Sequence, residues 1–316
     1  MPALADLNDL SLPDLWGELA ATGLVRRLLE LARDEDLGPG ELRGDATARV
    51  ASGDASPLAA RLVVREPGVV AGLALGPLLC EVFADTLGES VRFEPAADDG
   101  DHTPAGATVA TLAGPARAVV TIERTLLNLV GRLSGVATRT AAFVHAIEDT
   151  PARVLDTRKT TPGLRVLEKY AVRCGGGLCH RLGLYDAVLI KDNHVAGLDL
   201  DGFQSRIAEA CRRGAGEREA GRSRFVEVEV DTPEQFERTL AIEPGLIDFV
   251  LLDNFTPAQL ASAVARRDGS GSRILLEASG GITLDTVGAV ARTGVDRISV
   301  GGLTHRAVSL DVGLDA

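Results

Sequence analysis

Two runs of the chain decide its fold class: Phe225-Val-Glu-Val-Glu-Val-Asp-Thr-Pro-Glu-Gln (225–235) and Phe249-Val-Leu-Leu-Asp-Asn-Phe-Thr-Pro-Ala-Gln (249–259). Each begins as an apolar run of strand character and then reaches Thr-Pro-x-Gln. In that tetrapeptide the threonine caps a helix, the proline takes the first helical position and the glutamine completes a capping box. A strand followed at once by a helix, twice in succession, predicts parallel strands joined by helical crossovers.

Further apolar runs after residue 150 keep the same order of strand and then helix. They are rich in Val, Ile and Leu, as buried parallel strands are. These runs are Arg153–Asp156, Ala187–Lys191, Ile274–Glu277 and Arg297–Val300. Together the strand runs predict an α/β barrel over residues 135–302, open or incomplete and TIM-like.

The first part of the chain, residues 1–134, predicts a smaller α+β domain, and we expect the C-terminal tail 303–316 to pack on it. The predicted elements are a helix at Leu24–Asp34 and strands at Leu58–Val64, Val91–Pro95 and Thr108–Ala113. A long helix over Thr121–Ala146, with a break near Ser134-Gly135, would join the two domains. The stretch Arg212–Arg224 is rich in Arg, Gly and Glu, and we interpret it as an exposed, mobile loop.

The composition is that of a soluble globular enzyme. The chain has 316 residues, 45% of them hydrophobic and 25% charged, and a net charge of -12. So acidic a protein is unsuited to general binding of nucleic acid or of anionic membranes. Its four cysteines form no C-x-x-C pair, which favours reduced thiols. The acidic N-terminus Met1–Asp14 lacks a basic segment before an apolar core, and Val69–Leu79 is too short to span a bilayer, so we expect a cytoplasmic protein.

Cationic side chains are concentrated between Asp156 and His194, against the sign of the whole chain. They surround the triplet Gly175–Gly177 and lie at the ends of apolar runs. The residues are Arg158, Lys159, His180, Arg181 and Lys191. A local reversal of charge beside glycine loops is typical of a pocket for a small polyanion, bound by charge-assisted hydrogen bonds.

The ends of the later strands carry a different chemistry. Because the carboxyl ends of parallel strands face one mouth, residues distant in sequence should converge there. Glu229 and Asp253 end the third and fourth barrel strands, where they would bind ribose hydroxyls, hold Mg²⁺ or stabilise positive charge on a sugar carbon. Ser279-Gly280-Gly281 and Gly301-Gly302 follow the last two strands and suit a phosphate group. A phosphorylated sugar fits both sets.

Each of these residues also has an ordinary structural interpretation. Arg158 and Lys159 would be a solvated surface pair, His180 a core histidine, Glu229 part of the polar face of an exposed strand, and the glycine pairs tight turns. A zinc site built from Cys174, Cys179, His180 and His194 is disfavoured, because C-x4-C is not a usual zinc spacing.

A series of motifs resembles the quinolinate phosphoribosyltransferase family. The most specific stretch is Asp156-Thr-Arg-Lys-Thr-Thr-Pro-Gly-Leu-Arg165, followed by Glu168–Val172 and His180-Arg-Leu-Gly-Leu184. The other matching stretches are Glu123–Asn128, Leu133–Gly135, Leu189–His194, Glu227–Val230, Leu252–Phe255, Glu277–Gly281 and Val300–His305, with thinner similarity at Gly44–Thr47 and Pro67–Gly72. One departure is Cys179, which stands where the family usually has Asn.

The resemblance implies transfer of a phosphoribosyl group from phosphoribosyl pyrophosphate to quinolinate, with loss of CO2, to give nicotinate mononucleotide and pyrophosphate for NAD synthesis. It implies a homodimer, or a larger assembly of dimers, in which Arg124 reaches the partner's site. Mg²⁺ is the implied cofactor, bound mainly through the pyrophosphate, with Glu229 and Asp253 as further candidate ligands. We expect no nucleic-acid or membrane partner.

The resemblance also assigns roles to the residues. For quinolinate the implied ligands are Arg124, Arg158, Lys159, His180, Arg181 and Lys191. For phosphoribosyl pyrophosphate they are Lys159, Glu229, Asp253, Ser279, Gly280, Gly301 and His305. The implied catalytic set is Lys159, Lys191, Glu229 and Asp253.

Three other functions stay open at this point. One is a related phosphoribosyltransferase that acts on nicotinate or another aromatic acid, including members of the superfamily associated with molybdenum transport. Another is an aldolase barrel with Lys191 as a Schiff-base nucleophile. The last is a nucleotide-binding module without turnover, which the intact set of Glu229, Asp253 and Lys191 disfavours.

Overall fold

The computed structural model describes residues 6–38, 44–51 and 56–316. The first five residues, part of the basis for expecting a cytoplasmic protein, lie outside that description. The helices are α1 (Leu12–Ala21), α2 (Leu24–Leu37), α3 (Ala46–Ala51), α4 (Gly76–Leu87), α5 (Ala116–His145), α6 (Arg165–Cys174), α7 (Asp192–Val195), α8 (Leu200–Glu219), α9 (Pro233–Leu240), α10 (Pro257–Ser270), α11 (Leu284–Ala291) and α12 (Gly302–His305). The strands are β1 (Pro57–Val64), β2 (Gly68–Val69), β3 (Arg92–Pro95), β4 (His102–Thr103), β5 (Thr108–Pro115), β6 (Arg153–Leu155), β7 (Val188–Ile190), β8 (Val226–Val230), β9 (Phe249–Asp253), β10 (Leu275–Ser279), β11 (Arg297–Ser299) and β12 (Val312–Asp315).

The six strands β6 to β11 form one parallel sheet in the order β6-β11-β10-β9-β8-β7. Helices α8 to α11 connect its successive strands, as crossovers between parallel strands require. The edge strands β6 and β7 share no ladder within the described residues, and beside β6 a single parallel bridge joins Leu155 to Leu178. The predicted α/β barrel of open or incomplete type is therefore confirmed.

The two Thr-Pro-x-Gln segments begin helices, as predicted. Thr256 and Gln259 form a complete capping box at the start of α10. At α9 the box is incomplete: Thr232 accepts the Gln235 N–H at 3.2 Å, but the Gln235 side chain accepts from the Asp231 N–H instead. Both devices fix the point at which the chain leaves the sheet.

Contacts divide the chain into two compact units. The unit with the parallel sheet comprises residues 1–9, 142–159 and 177–302. The other comprises 10–141, 160–176 and 303–316, and contains a four-stranded antiparallel sheet in the order β12-β1-β5-β3. The C-terminal tail enters that sheet, because β12 pairs with β1. Arg132 on α5 holds the tail further by donating to the carbonyl oxygens of Thr304 and Ala307, both at 2.7 Å.

Helix α5 continues without interruption through Ser134 and Gly135, so the predicted break is wrong. These small residues serve close packing instead. A Cβ on Gly135 would overlap the carbonyl oxygen of Val308 and lie 2.9 Å from its carbonyl carbon. The Ser134 hydroxyl accepts the Ala71 N–H at 3.0 Å.

The mobile loop predicted at Arg212–Arg224 is also wrong, because α8 extends through Glu219. Phe203, Ile207, Cys211 and Ala215 recur along one buried face of this helix, with the spacing of an amphipathic helix. The many charges lie on the other face. Among the described residues, every helix is too short or too polar to span a lipid bilayer.

We expect Gly135→Ala to lower stability by about 2 kcal/mol, because the methyl group meets backbone that must shift. The matched control is Gly216→Ala on α8, where an added Cβ has nothing within 4 Å. That change should leave stability unchanged or raise it by up to about 1 kcal/mol, since alanine favours the helix. Urea denaturation of both variants measures the difference; equal effects would contradict the packing described for Gly135.

Candidate active site

The carboxyl edge of the parallel sheet collects most of the predicted site residues. Lys191 follows β7 directly, Glu229 lies on β8, and Asp253 and Ser279 end the paired strands β9 and β10 in register with each other. Arg158 and Lys159 are exposed in the loop after β6, and Gly301 follows β11 closely. One edge thus carries cations on the side of β6 and β7 and carboxylates on β8 and β9.

Lys191 and Glu229 form an ion pair between the Nζ and Oε2 atoms. The Lys191 side chain is 41% exposed and that of Glu229 10%. Burial raises the pKa of Glu229, and the charge of Lys191 opposes that rise. The pair therefore joins the cationic side of the edge to the acidic side.

A third carboxylate, Asp231, completes an acidic group at this edge. Single carboxylate oxygens of Glu229, Asp231 and Asp253 all lie within 4.8 Å of one another. Burial raises the pKa of Asp231, and the neighbouring charges of Asp192 and Asp253 add to the rise. Sequence reasoning missed Asp231, although it follows Glu229 by two residues and comes directly after the end of β8. A donor set made only of carboxylate oxygens fits a hard cation such as Mg²⁺.

Asn254 and Gly280 hold the end of β9 in place. Asn254 has a positive φ of 57° and donates from its side chain to Asp253 at 2.7 Å. Gly280, with φ 95°, lies so close that a Cβ there would overlap the Asn254 amide. The packing that orients Asp253 is therefore enough to require glycine at position 280, independently of any ligand.

His180 lies inside the barrel, only 5% exposed. Its Nδ1 accepts the Arg181 N–H at 2.7 Å, so the ring proton is on Nε2. That nitrogen lies 2.9 Å from Glu227 and 3.5 Å from Glu277. Both ring nitrogens therefore face protein groups. The predicted direct contact of His180 with an anion stays a prediction, while its position next to Arg181 is fixed by the backbone.

Arg181 carries its charge in a largely buried position, with 6% of the residue exposed. Its Nη1 donates to the Ala187 carbonyl at 3.3 Å. Burial lowers the pKa of Arg181, and the positive charge of Arg158 lowers it further. An anion bound beside both guanidinium groups would relieve that repulsion.

Glu227 and Glu277 are fully buried on the inner face of the sheet, and sequence reasoning missed both. Arg297 lies 2.9 Å from Glu277 through its Nε atom and stacks over the Phe249 ring at 3.8 Å. Burial raises the pKa of both carboxyl groups, and the positive charge of Arg297 opposes that rise. The Val-Glu-Val-Glu-Val pattern suggested an exposed polar face; in a parallel barrel the same face points inward.

A cavity of about 810 Å³ opens at the opposite edge of this sheet, where Phe225, Phe249 and Arg297 lie. Its charged lining groups are largely paired within the protein: Arg218 with Asp248, and Arg224 and Arg297 with carboxylates behind the lining. The predicted chemistry lies at the other edge, so we do not assign this cavity to the site.

Two predicted site residues belong to the other compact unit. Arg124 lies on α5 with its side chain 69% exposed, 3.9 Å from Glu123. His305 is exposed at the end of α12. Their roles stay predictions.

Burial raises the pKa of Glu227 from 4.5 to about 7. The folded state therefore favours its protonated form, a contribution that is full below pH 4.5 and lost as the pH rises to about 7. We expect Glu227→Gln to show a smaller loss of stability than the wild type between pH 5 and pH 8, by on the order of 3 kcal/mol at most. Urea denaturation at several pH values measures this; Glu234→Gln on α9 controls for the change in net charge. Parallel curves for wild type and Glu227→Gln would contradict the shift.

Family models match both parts of the chain: that of the quinolinate phosphoribosyl transferase N-terminal domain at residues 45–134, and that of the C-terminal domain at 136–315. The chain is 43% identical over 296 residues to nicotinate-nucleotide pyrophosphorylase (carboxylating) of Mycobacterium leprae, covering 94% of this chain and 97% of that protein. It is 40% identical over 291 residues to the probable enzyme of that name from Bacillus subtilis, covering 92% and 93%. The structure of the nicotinate-nucleotide pyrophosphorylase from Francisella tularensis matches with a TM-score of 0.80 at 32% identity, covering 98% of this chain and 99% of that one. The chain therefore belongs to the quinolinate phosphoribosyltransferase family.

Proposed function

We propose that the protein transfers the phosphoribosyl group of phosphoribosyl pyrophosphate to quinolinate and decarboxylates the product, giving nicotinate mononucleotide, CO2 and pyrophosphate for NAD biosynthesis. The observation that carries the proposal is the division of one barrel edge into a cationic side after β6 and β7 and an acidic side on β8 and β9. A dianionic acceptor suits the first side, and a sugar that becomes cationic suits the second. The family relationship supports the same reaction.

Quinolinate would bind on the cationic side. Arg158, Lys159, Arg181 and Lys191 offer cations to its two carboxylates, and Arg124 would add another. Hydrogen bonds to charged groups contribute roughly 1.5–3 kcal/mol each, so several together are enough for micromolar binding after the costs of association. His180 contributes here through the Arg181 backbone that it holds.

Ribosyl transfer would use the acidic side. As the bond from ribose C1 to the pyrophosphate oxygen breaks, positive charge develops on the sugar, and Glu229 and Asp253 are suited to stabilise it. The pyridine nitrogen then forms the new bond to C1, and pyrophosphate leaves with the electron pair. Ser279, Gly280, Gly301 and His305 are the proposed ligands of the sugar phosphates.

Decarboxylation follows from the charge of the ribosylated ring. The carboxylate next to the cationic nitrogen departs as CO2, its electron pair stays on the ring carbon, and the nitrogen stabilises that carbanion. The carbanion takes up a proton, for which we assign the ammonium groups of Lys159 and Lys191 as candidate donors. The electron sink belongs to the substrate itself, so the reaction needs no pyridoxal or thiamin cofactor.

Mg²⁺ is the proposed cofactor. When bound, it would neutralise charge on the pyrophosphate leaving group. Glu229, Asp231 and Asp253 would hold it, directly or through water, because they present oxygen ligands close together.

Lys191 as a Schiff-base nucleophile is disfavoured. Its ion pair with Glu229 holds an ammonium group, whereas an amine that attacks carbonyls must be unprotonated.

The proposed compartment is the cytoplasm. Cys80, Cys174, Cys179 and Cys211 are buried thiols outside disulfides, and reduced thiols are usual in cytoplasmic proteins.

The deciding experiment measures turnover with phosphoribosyl pyrophosphate, with and without Mg²⁺, for quinolinate and for nicotinate. We expect quinolinate to be consumed with release of CO2 and EDTA to abolish the reaction. Faster use of nicotinate would overturn the substrate assignment in favour of the related phosphoribosyltransferase.

Arg158→Ala and Glu229→Ala should separate the two sides of the site. We expect Arg158→Ala to raise the quinolinate KM at least about tenfold, the loss of one charge-assisted contact, and to spare the KM for phosphoribosyl pyrophosphate. Glu229→Ala should mainly depress kcat, because it acts on charge that develops in the transition state. Steady-state kinetics with each substrate varied in turn measures both; an unchanged quinolinate KM in Arg158→Ala would remove the role we assign.

The proposed dimer with Arg124 contributed across the interface is open to a complementation test. Arg124→Ala and Lys191→Ala should each be nearly inactive alone. Unfolded together and refolded as a mixture, they should regain activity, since half of the heterodimer sites hold neither change. Glu123→Ala mixed with Lys191→Ala is the control for the refolding itself. If the mixture of Arg124→Ala and Lys191→Ala regains no activity, Arg124 acts in the site of its own subunit or in neither site.

A further inference from the structure

The segment Leu178–Gly183, which carries His180 and Arg181, has every backbone amide engaged. The Leu178 N–H donates to the Val154 carbonyl at 2.8 Å, as one more rung beside β6. The remaining five amides donate to side chains. Their acceptors are Asn8 for Cys179 (2.7 Å), Asp156 for His180 (2.8 Å), His180 for Arg181 (2.7 Å), and the Asp186 carboxylate for Leu182 (2.9 Å) and Gly183 (2.8 Å). These hydrogen bonds restrict the backbone conformation of the segment.

Asn8 is the acceptor that comes from farthest away, 171 residues earlier in the chain. Its amide contacts the Cys179 residue on both polar groups: Oδ1 accepts the N–H at 2.7 Å, and Nδ2 donates to the carbonyl at 3.0 Å. This carbonyl is the one directly before His180. The side chain of Asn8 therefore fixes the peptide unit that directly precedes His180 and Arg181.

The short segment that carries Asn8 is itself held in place. The Leu7 side chain is buried, with 7% of the residue exposed, and the Asn8 N–H donates to the Asp6 carboxylate at 3.0 Å. Asp6 lies 3.7 Å from Arg224, whose guanidinium pairs with Asp186. Asp186 in turn accepts the amides of Leu182 and Gly183. The segment thus connects to both ends of Leu178–Gly183.

We propose that Asn8 is a positioning residue for the aromatic acid substrate: by fixing Cys179 it sets the direction of the Arg181 guanidinium. The inference rests on the proposed function. It predicts selectivity, because Asn8 binds the Cys179 peptide, whereas Glu229 and Asp253 are carried by the strands β8 and β9. Loss of Asn8 therefore weakens binding of the dicarboxylate and leaves binding of the sugar substrate intact.

The test compares Asn8→Ala and Asn8→Asp with the full-length wild type. Asn8→Ala removes both hydrogen bonds; Asn8→Asp keeps an acceptor for the Cys179 N–H but sets a carboxylate against its carbonyl oxygen. We expect both to raise the quinolinate KM by about tenfold, the scale of one or two partly buried hydrogen bonds. The KM for phosphoribosyl pyrophosphate and kcat should stay within about twofold. Asp9→Ala, an exposed change in the same segment, should match the wild type.

A double-mutant cycle with Arg181→Ala separates positioning from general damage. If Asn8 acts through Arg181, adding Asn8→Ala to Arg181→Ala raises the quinolinate KM little further. Additive effects, or equal losses for both substrates, would overturn the proposal.

Hydrogen–deuterium exchange supplies a measurement that needs no turnover. In Asn8→Ala the peptide covering Leu178–Gly183 should exchange faster, whereas in Asp9→Ala it should exchange as in the wild type. If the wild type uses nicotinate rather than quinolinate, the proposed function fails, and the exchange result together with the KM for nicotinate still tests Asn8. Unchanged exchange in Asn8→Ala would overturn the inference with the function intact.

Discussion

The burial of two carboxylates, Glu227 and Glu277, determines how the other polar groups inside the barrel are arranged. Taking a carboxylate out of water costs several kcal/mol unless a cation lies against it. Arg297 meets that need through its guanidinium, while the neutral imidazole of His180 lies against Glu227 through Nε2. Since the Nε2 atom of His180 must face the carboxylates, its Nδ1 faces the backbone and accepts the Arg181 N–H. The interior charge balance thus extends into the loop that holds Arg181, the proposed anion-binding arginine.

The acidic and cationic sides of the barrel mouth are built from different elements. The acidic residues lie on strands, and the arginines lie in loops. Glu229 pairs with Leu251 of the neighbouring strand β9, and Asp253 pairs with Ser279 of β10, so a parallel ladder restricts the backbone at both positions. Charge that develops during a reaction must be met at a fixed distance, so strand positions suit these groups. Arg158 and Arg181 lie in loops, and side-chain acceptors such as Asp156 and Asp186 replace the missing ladder around Arg181.

Much of the fold and of the candidate site could be predicted from the sequence, because the signals lie within short segments. Buried parallel strands are recognised by their high content of Val, Ile and Leu, and Thr-Pro-x-Gln marks the start of a helix through the side chains of its own residues. These two local signals locate the strand ends and therefore the residues at those ends. The features that were missed depend on distant partners. Nothing in the sequence near Asn8 indicates that its amide contacts Cys179. Glu227 belongs to an alternating pattern that is typical of a strand with one exposed face, and only the parallel sheet places that face inside the barrel. The Arg212–Arg224 segment was misjudged because its charges hid the buried face of α8, which begins at Leu200.

The acidic group of Glu229, Asp231 and Asp253 sets a condition on any anionic sugar substrate. Three carboxylates within 4.8 Å of one another repel a pyrophosphate that approaches alone. Lys191 compensates one of them, and burial already disfavours the charged forms of Glu229 and Asp231. The pyrophosphate can bind beside these carboxylates if a cation neutralises its charge. The carboxylates then face the cation rather than the anion. In the proposed reaction, the same carboxylates would face a positively charged sugar carbon once the leaving group departs. Under the proposed mechanism, these carboxylates would disfavour binding of the free substrate but favour both its neutralised complex and the transition state, which is the selectivity that catalysis requires.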